Sequence, residues 1–142
     1  MSLQSIFAIS GSAMAAQTVR LNTTASNLAN AESVSGDQAS TYKARHPVFA
    51  AVRQDTNASF AWENDASQGV AVAGIYESDR QPQSVYRPEH PQANEQGYVF
   101  LPNISTVEEM ADMIAASRSY QNNLEVLNTS KDLLLRTLRL GE

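Results

Sequence analysis

Hydrophobic positions near the start of the chain recur every seven residues: Phe7, Met14, Leu21 and Leu28 share one line. Leu3 and Ala25 extend that line, and Ile6 and Ala13 widen it. The spacing predicts an amphipathic helix over 3–30 that packs at a shallow angle along its length against another helix. Its other faces carry Ala, Ser, Thr, Gln and Asn, small enough to let further helices approach closely. A second stripe, Val107, Met110, Ile114, Ser117, Tyr120, Leu124, Leu127, Leu134 and Leu138, predicts a helix over 105–140. Val126, Leu133 and Leu140 add another apolar line near its end, and a helix apolar on two sides is expected to be buried on two sides.

Between the helices the pattern changes. Ser33 to Tyr42 is polar and turn-rich. Val48–Val52, the neighbourhood of Phe60 and Trp62, "GVAVAGIY" (69–76) and "YVFLP" (98–102) read as short strands separated by turns. The proline-rich stretch from Asp79 to Tyr98 reads as extended. The predicted fold class is α+β. Long terminal helices (segments 1–32 and 105–142) pack as a coiled-coil-like pair, with a small β-rich insert at 33–104.

The helix ends are marked unequally. Ser105 with Glu108, or Thr106 with Glu109, forms a capping-box pattern. Glu108, Glu109 and Asp112 open the second helix and Lys131, Arg136 and Arg139 close it, which suits the helix dipole; Gly141 follows as a stop. Asn27 and Asn30 raise a different question, because asparagine is a mediocre helix former and costly in a core. Asn30 suits a helix C-cap. The pair is equally compatible with a buried device that fixes register.

Composition narrows the function. The net charge of −5 argues against nucleic acid and acidic lipid as partners. Residues 1–30 carry Arg20 alone as a charge, so that helix lacks a broad solvated face and is expected to be covered. At 1.5 Å per residue the helices run about 40 and 50 Å, more than the insert can cover. Their apolar faces exceed what one antiparallel pair buries, which points to other chains. The absence of cysteine excludes thiol catalysis, cysteine metal sites and disulfides. No apolar run approaches the roughly 20 residues of a membrane span, so direct membrane insertion is not expected. The start of the chain lacks the basic region of a cleaved secretory signal.

Candidate chemistry is thin. His46 and His90 each precede a proline, and Glu89 lies beside His90. A metal or a general base is conceivable there, yet neither histidine has a second ligand at helical or strand spacing, so loop histidines explain them better. Glu108, Glu109 and Asp112 are accounted for by capping and the helix dipole. No phosphate loop or nucleophile elbow is present. No cofactor, metal or enzymatic activity is expected.

"GSAMAAQTVRLNTTASNLANAES" (11–33) resembles the N-terminal signature of flagellar axial proteins, carried by Ala13, Gln17, Arg20, Leu21, Ser26, Asn27, Leu28, Ala29 and Asn30. "TYKAR" (41–45) resembles the segment that follows it in rod proteins. The long C-terminal stretch from His90 to Gly141 is similar to flagellar basal-body rod proteins of the C type, which are proximal-rod subunits. The resemblance covers both ends, while 50–80 match by position only. "NAES" (30–33), followed by a serine-rich loop, departs from the commoner motif.

The resemblance implies a structural subunit that leaves the cytosol unfolded through the flagellar type III export apparatus, without a cleaved signal. It implies helical polymerisation in the periplasmic basal body into a drive shaft that transmits torque to hook and filament and encloses the export channel. Partners would be itself, other rod subunits, and the membrane-ring and distal-rod proteins, with the terminal helices forming the inner tube and the middle facing outward. Leu3, Phe7, Met14, Leu21, Leu28, Met110, Ile114, Tyr120, Leu124, Leu127, Leu134 and Leu138 are then expected to pack between subunits. Asn27 and Asn30 would set register, with neighbouring subunits supplying their hydrogen bonds. The alternatives are a soluble helical-hairpin adaptor with a single partner, or a small hydrolase using His46 or His90 with Glu89.

Overall fold

The computed structural model describes residues 3–53 and 68–140. The strand expected around Phe60 and Trp62, the side chains of Leu3 and Leu140, and Gly141 lie outside the described residues. Both helices form where the periodicity places them: α1 spans Leu3–Asn30 and α2 spans Thr106–Leu140. Four strands lie between them among the described residues: β1 (Arg45–Arg53), β2 (Gln68–Glu77), β3 (Gln83–Tyr86) and β4 (Tyr98–Leu101).

The helix ends are closed by the residues that mark them. At the C-terminus of α1, the Asn30 side-chain amide donates to the Ser26 carbonyl at 2.8 Å, and Ser33 donates through its N–H and its hydroxyl to the Asn30 carbonyl. The Asn30 carbonyl, which has no partner within the helix, is thus satisfied. At the start of α2, Ser105 is the N-cap, accepting the Glu108 N–H on its hydroxyl at 3.4 Å and the Glu109 N–H on its carbonyl at 3.0 Å. Glu108 does not complete the box; its carboxylate faces Arg80 at 3.7 Å.

β1 and β2 pair antiparallel, from Arg45 opposite Glu77 to Arg53 opposite Gln68, with a bulge between Val48 and Phe49. The Ser78 N–H donates to the Ala44 carbonyl, so Ala44, His46 and Val48 bond across the ladder while Arg45 and Pro47 point their backbone groups away from β2. A proline is tolerated inside this strand because its missing N–H falls on the outward edge. β3 and β4 form a second antiparallel pair, from Gln83 opposite Leu101 to Tyr86 opposite Tyr98. Ser35, in the loop after α1, extends that pair through reciprocal bonds with Phe100 at 2.9 and 2.8 Å. The stretch from Asp79 to Tyr98, expected to be extended, therefore contains a strand and three turns.

The turn into β4 depends on Gly97, whose φ is +79°. A Cβ there would also lie 2.8 Å from the Tyr86 ring. Gly97→Ala is expected to lower stability by about 1–2 kcal/mol, seen as a reduced urea midpoint with unchanged helix content.

The interior is made of small and polar side chains. Ala16, Ala31, Ala44 and Ala116 are buried together with Ser10, Thr23, Thr24, Asn27, Thr41, Glu109 and Ser130. Val99 on β4 is the one large apolar side chain fully buried among the described residues. Alanine seams let helix axes approach to the short end of the usual 8–10 Å range.

Candidate functional site

The helices, and the hairpin laid along α1, form the surface on which function has to be read. Arg20 on α1 meets Asp112 on α2 at 2.7 Å. Seven residues C-terminal to Arg20, Asn27 is bonded to Arg45, beside Ala44; seven residues N-terminal to Asp112, Ser105 shares a cleft with Ala44. The helices therefore run antiparallel. Ala16 and Ala116, each one turn from the ion pair, are 2% and 0% exposed.

Asn27 joins α1 to the hairpin and is fully buried. Its amide nitrogen donates to the Arg45 carbonyl at 2.9 Å, while its oxygen accepts the Arg45 N–H at 2.8 Å and the Tyr42 hydroxyl at 3.0 Å. The side chain thus pairs with the outward edge of β1 as a neighbouring strand would. Ser12, nearer the N-terminus of α1, provides a second anchor by accepting the Val70 N–H at 3.2 Å and donating to the Ile9 carbonyl at 2.8 Å. From Asn27 to Ser12 the helix rises about 22 Å. From Arg45 to Ala51, the partner of Val70, the strand rises about 20 Å. The two anchors lay the hairpin along α1, Asn27 holding β1 and Ser12 holding β2, with β1 antiparallel to the helix.

The expected supply of hydrogen bonds to Asn27 from neighbouring subunits gives way to this arrangement: the bonds are made within the chain. The contact with Arg45 joins residues 18 apart through backbone atoms, a pairing that carries no side-chain signature. The same holds for Ser12 and Val70, which the sequence reading missed.

The apolar stripe expected on α2 is divided between two faces. Glu109, Met113, Ala116, Tyr120, Asn123, Leu127, Ser130 and Leu134, all buried or half-buried, alternate by steps of four and three; as far as Leu127 this line forms the seam toward α1, and Leu134 continues it past the start of α1. Tyr120, Leu127 and Leu134 belong to it. Met110, Ile114, Leu124 and Leu138 stand outside it and are 54%, 53%, 43% and 62% exposed. Phe7, Met14, Leu21 and Leu28 are half-buried along the flank of α1.

The residues considered for chemistry do not converge. The His46 ring rests near Tyr76, with centroids 5.5 Å apart, whereas His90 Nδ1 accepts the Gln92 N–H in a local turn. No group of three potential metal ligands occurs among the described residues. The three acids opening α2 also part company. Glu108 faces Arg80, Asp112 pairs with Arg20, and Glu109 is buried with its Oε2 lacking a hydrogen-bond partner. The Arg20–Asp112 pair has side chains 30% and 44% exposed, so Asp112→Asn is expected to cost less than about 1 kcal/mol. Urea midpoints at low and high salt test this: the wild-type chain loses stability with salt and the variant does not.

Comparison with known proteins now bears on the same elements. Residues 7–36 match the family described as flagella basal body rod protein, and residues 95–140 match the flagellar basal body rod FlgEFG protein C-terminal family. Along its full length the chain is 48% identical to the flagellar basal-body rod protein FlgC of Salmonella typhimurium, covering all of both proteins. The chain belongs to the FlgC family of flagellar basal-body rod proteins. The FlgC of Escherichia coli O157:H7 is 47% identical over the full length of both proteins. That of Aquifex aeolicus is 43% identical over 91% of this chain and 90% of its own. FlgC membership makes the chain a structural component of the flagellar basal body rather than an enzyme. The matched family segments hold α1 with its closing loop, and β4 with α2. No described helix is long and apolar enough to cross a membrane.

Proposed function

We propose that the chain is a subunit of the proximal rod, polymerising helically into the shaft that carries torque from motor to hook and filament and surrounds the export channel. The observation that supports this best is the division of α2. Its inward seam holds Ala116 and Ser130 among Met113, Tyr120 and Leu127, yet Val107, Met110, Ile114, Leu124, Leu135 and Leu138 remain exposed. An apolar line of that length on a lone subunit calls for a partner.

In this reading segments 1–32 and 105–142 form the inner tube and 33–104 faces outward. The helix flanks with Phe7, Met14, Leu21 and Leu28, and the exposed line of α2, pack against other rod subunits. Asn27 and Asn30 act one step back, by closing α1 and fixing the hairpin on it. The wider partners are the membrane-ring and distal-rod proteins in the periplasm, and the type III apparatus that exports the chain. Stiffness comes from packing: shear between long close-packed helices disturbs many contacts at once.

The test is genetic and biochemical. Cells lacking the chain should not swim, and basal bodies purified from complemented cells should contain it. Swimming cells without the chain, or basal bodies that lack it, would end this reading.

A further inference from the structure

Two of the three acids that open α2 have a cation beside them: Asp112 meets Arg20 at 2.7 Å, and Glu108 faces Arg80 at 3.7 Å. Glu109 has none. It is 5% exposed, and its Oε2 is buried without a hydrogen-bond partner among the described residues. Carboxylates buried in proteins are normally paired or bonded, because losing water without compensation is costly. Around Glu109, three carboxylates thus stand against two guanidinium groups, and the surplus negative charge is its own.

Glu109 lines a cleft of about 100 Å³ between the hairpin, the turn at Ser78–Arg80, the Asn103–Ser105 segment and the first turns of α2. Ligand pockets for larger molecules start at about 300 Å³, so the cleft suits a small head group. Its lining offers more than charge. The rings of His46 and Tyr76, with centroids 5.5 Å apart, belong to it. So do three neutral oxygens, on Ser78, Asn103 and Ser105, each of which accepts one bond and keeps a lone pair for another.

We propose that this cleft binds the guanidinium group of an arginine side chain presented by another protein. Its N–H donors bond Glu109 Oε2 and the neutral oxygens, and its plane lies against the His46 and Tyr76 rings. A divalent metal fits poorly, since no group of three potential metal ligands occurs among the described residues. An ammonium answers the charge, but it is more strongly hydrated and lacks the flat face that stacks on rings. Free arginine brings its own carboxylate toward Glu108 and Asp112, the more exposed acids of the cleft. A side chain carries the same head group on an uncharged stem.

N-ethylguanidinium, which reproduces the end of an arginine side chain, is the probe. The isolated full-length chain, nitrogen-labelled, would be titrated at constant ionic strength and followed by its amide signals. The expected result is a saturating shift at Asn103, Ser105 and Glu109. Tetramethylammonium, with the same charge and no N–H, should leave those signals in place, and L-arginine should bind more weakly. Glu109→Gln should weaken binding roughly tenfold or more, the share of a charge-assisted bond. Glu125→Gln, at an exposed position farther along α2, should match the wild type.

Absence of saturation in the wild-type chain overturns the proposal, as does an equal response to tetramethylammonium, tighter binding of L-arginine, or undiminished affinity in Glu109→Gln. The first three outcomes need the wild-type chain alone, so they decide the matter even if Glu109→Gln fails to fold. Each of them leaves the rod reading standing.

Discussion

Asn27→Ala will release the β1–β2 hairpin from α1 and cost about 2–4 kcal/mol, a large share of the stability of a small domain. The substitution removes three hydrogen bonds and leaves the Arg45 N–H and the Arg45 carbonyl without their partner, while the Tyr42 hydroxyl keeps only its contact with the Ser26 hydroxyl at 3.0 Å. Buried groups left in that state carry the full cost of lost hydration, which exceeds the net worth of the bonds when made. Asn27→Asp should fare little better. A carboxylate keeps the two accepting roles but turns a second acceptor toward the Arg45 carbonyl. Tyr42→Phe removes the bonds to Asn27 and Ser26 but leaves both Arg45 bonds to Asn27 in place, and should cost about 1–2 kcal/mol. A urea series on the three variants, with amide exchange followed at Arg45, decides the matter. Equal, small effects for all three would show that the junction is not where the hairpin is held.

Ala116→Leu is expected to lower stability by about 1–3 kcal/mol by forcing α1 and α2 apart. Ala116 has no exposed surface and stands at the level of Ala16, so the added side chain has no empty space to enter. The strain spreads along the seam because the helices are rigid and paired over their length. Ile114→Leu, two residues earlier on the exposed line, should leave the stability of the isolated chain within about 0.5 kcal/mol of wild type. Thermal melting of the two variants side by side separates seam from outer face. A melting temperature unchanged in Ala116→Leu would mean the helix pair is looser than this packing.

What the sequence made legible follows from where its signals originate. The extents of α1 and α2 came through because periodicity is a backbone property, and Ser105 and Asn30 mark the ends by bonding the backbone next to them. Which face of α2 turns inward did not come through. Val107, Met110 and Ile114 were expected to share a packing face with Tyr120 and Leu127, since large apolar residues normally mark the covered side. Here the side covered within the chain mixes Glu109, Ala116 and Ser130 with Met113, Tyr120 and Leu127, and Val107, Met110 and Ile114 are left over. The junction at Asn27 was visible as an anomaly but not as a contact. An asparagine in a helix announces that something must satisfy it, and nothing in the sequence says that a strand edge 18 residues away will do so.

The outward edge of β1 has one more consequence. Arg45 spends its backbone groups on Asn27, and Pro47 has no N–H to offer. A wandering extended segment therefore finds no continuous row of donors on the first half of that strand, although Val48, Phe49 and Val52 nearby are exposed. The first half of β1 is thus guarded against fibril growth by edge-to-edge pairing between copies.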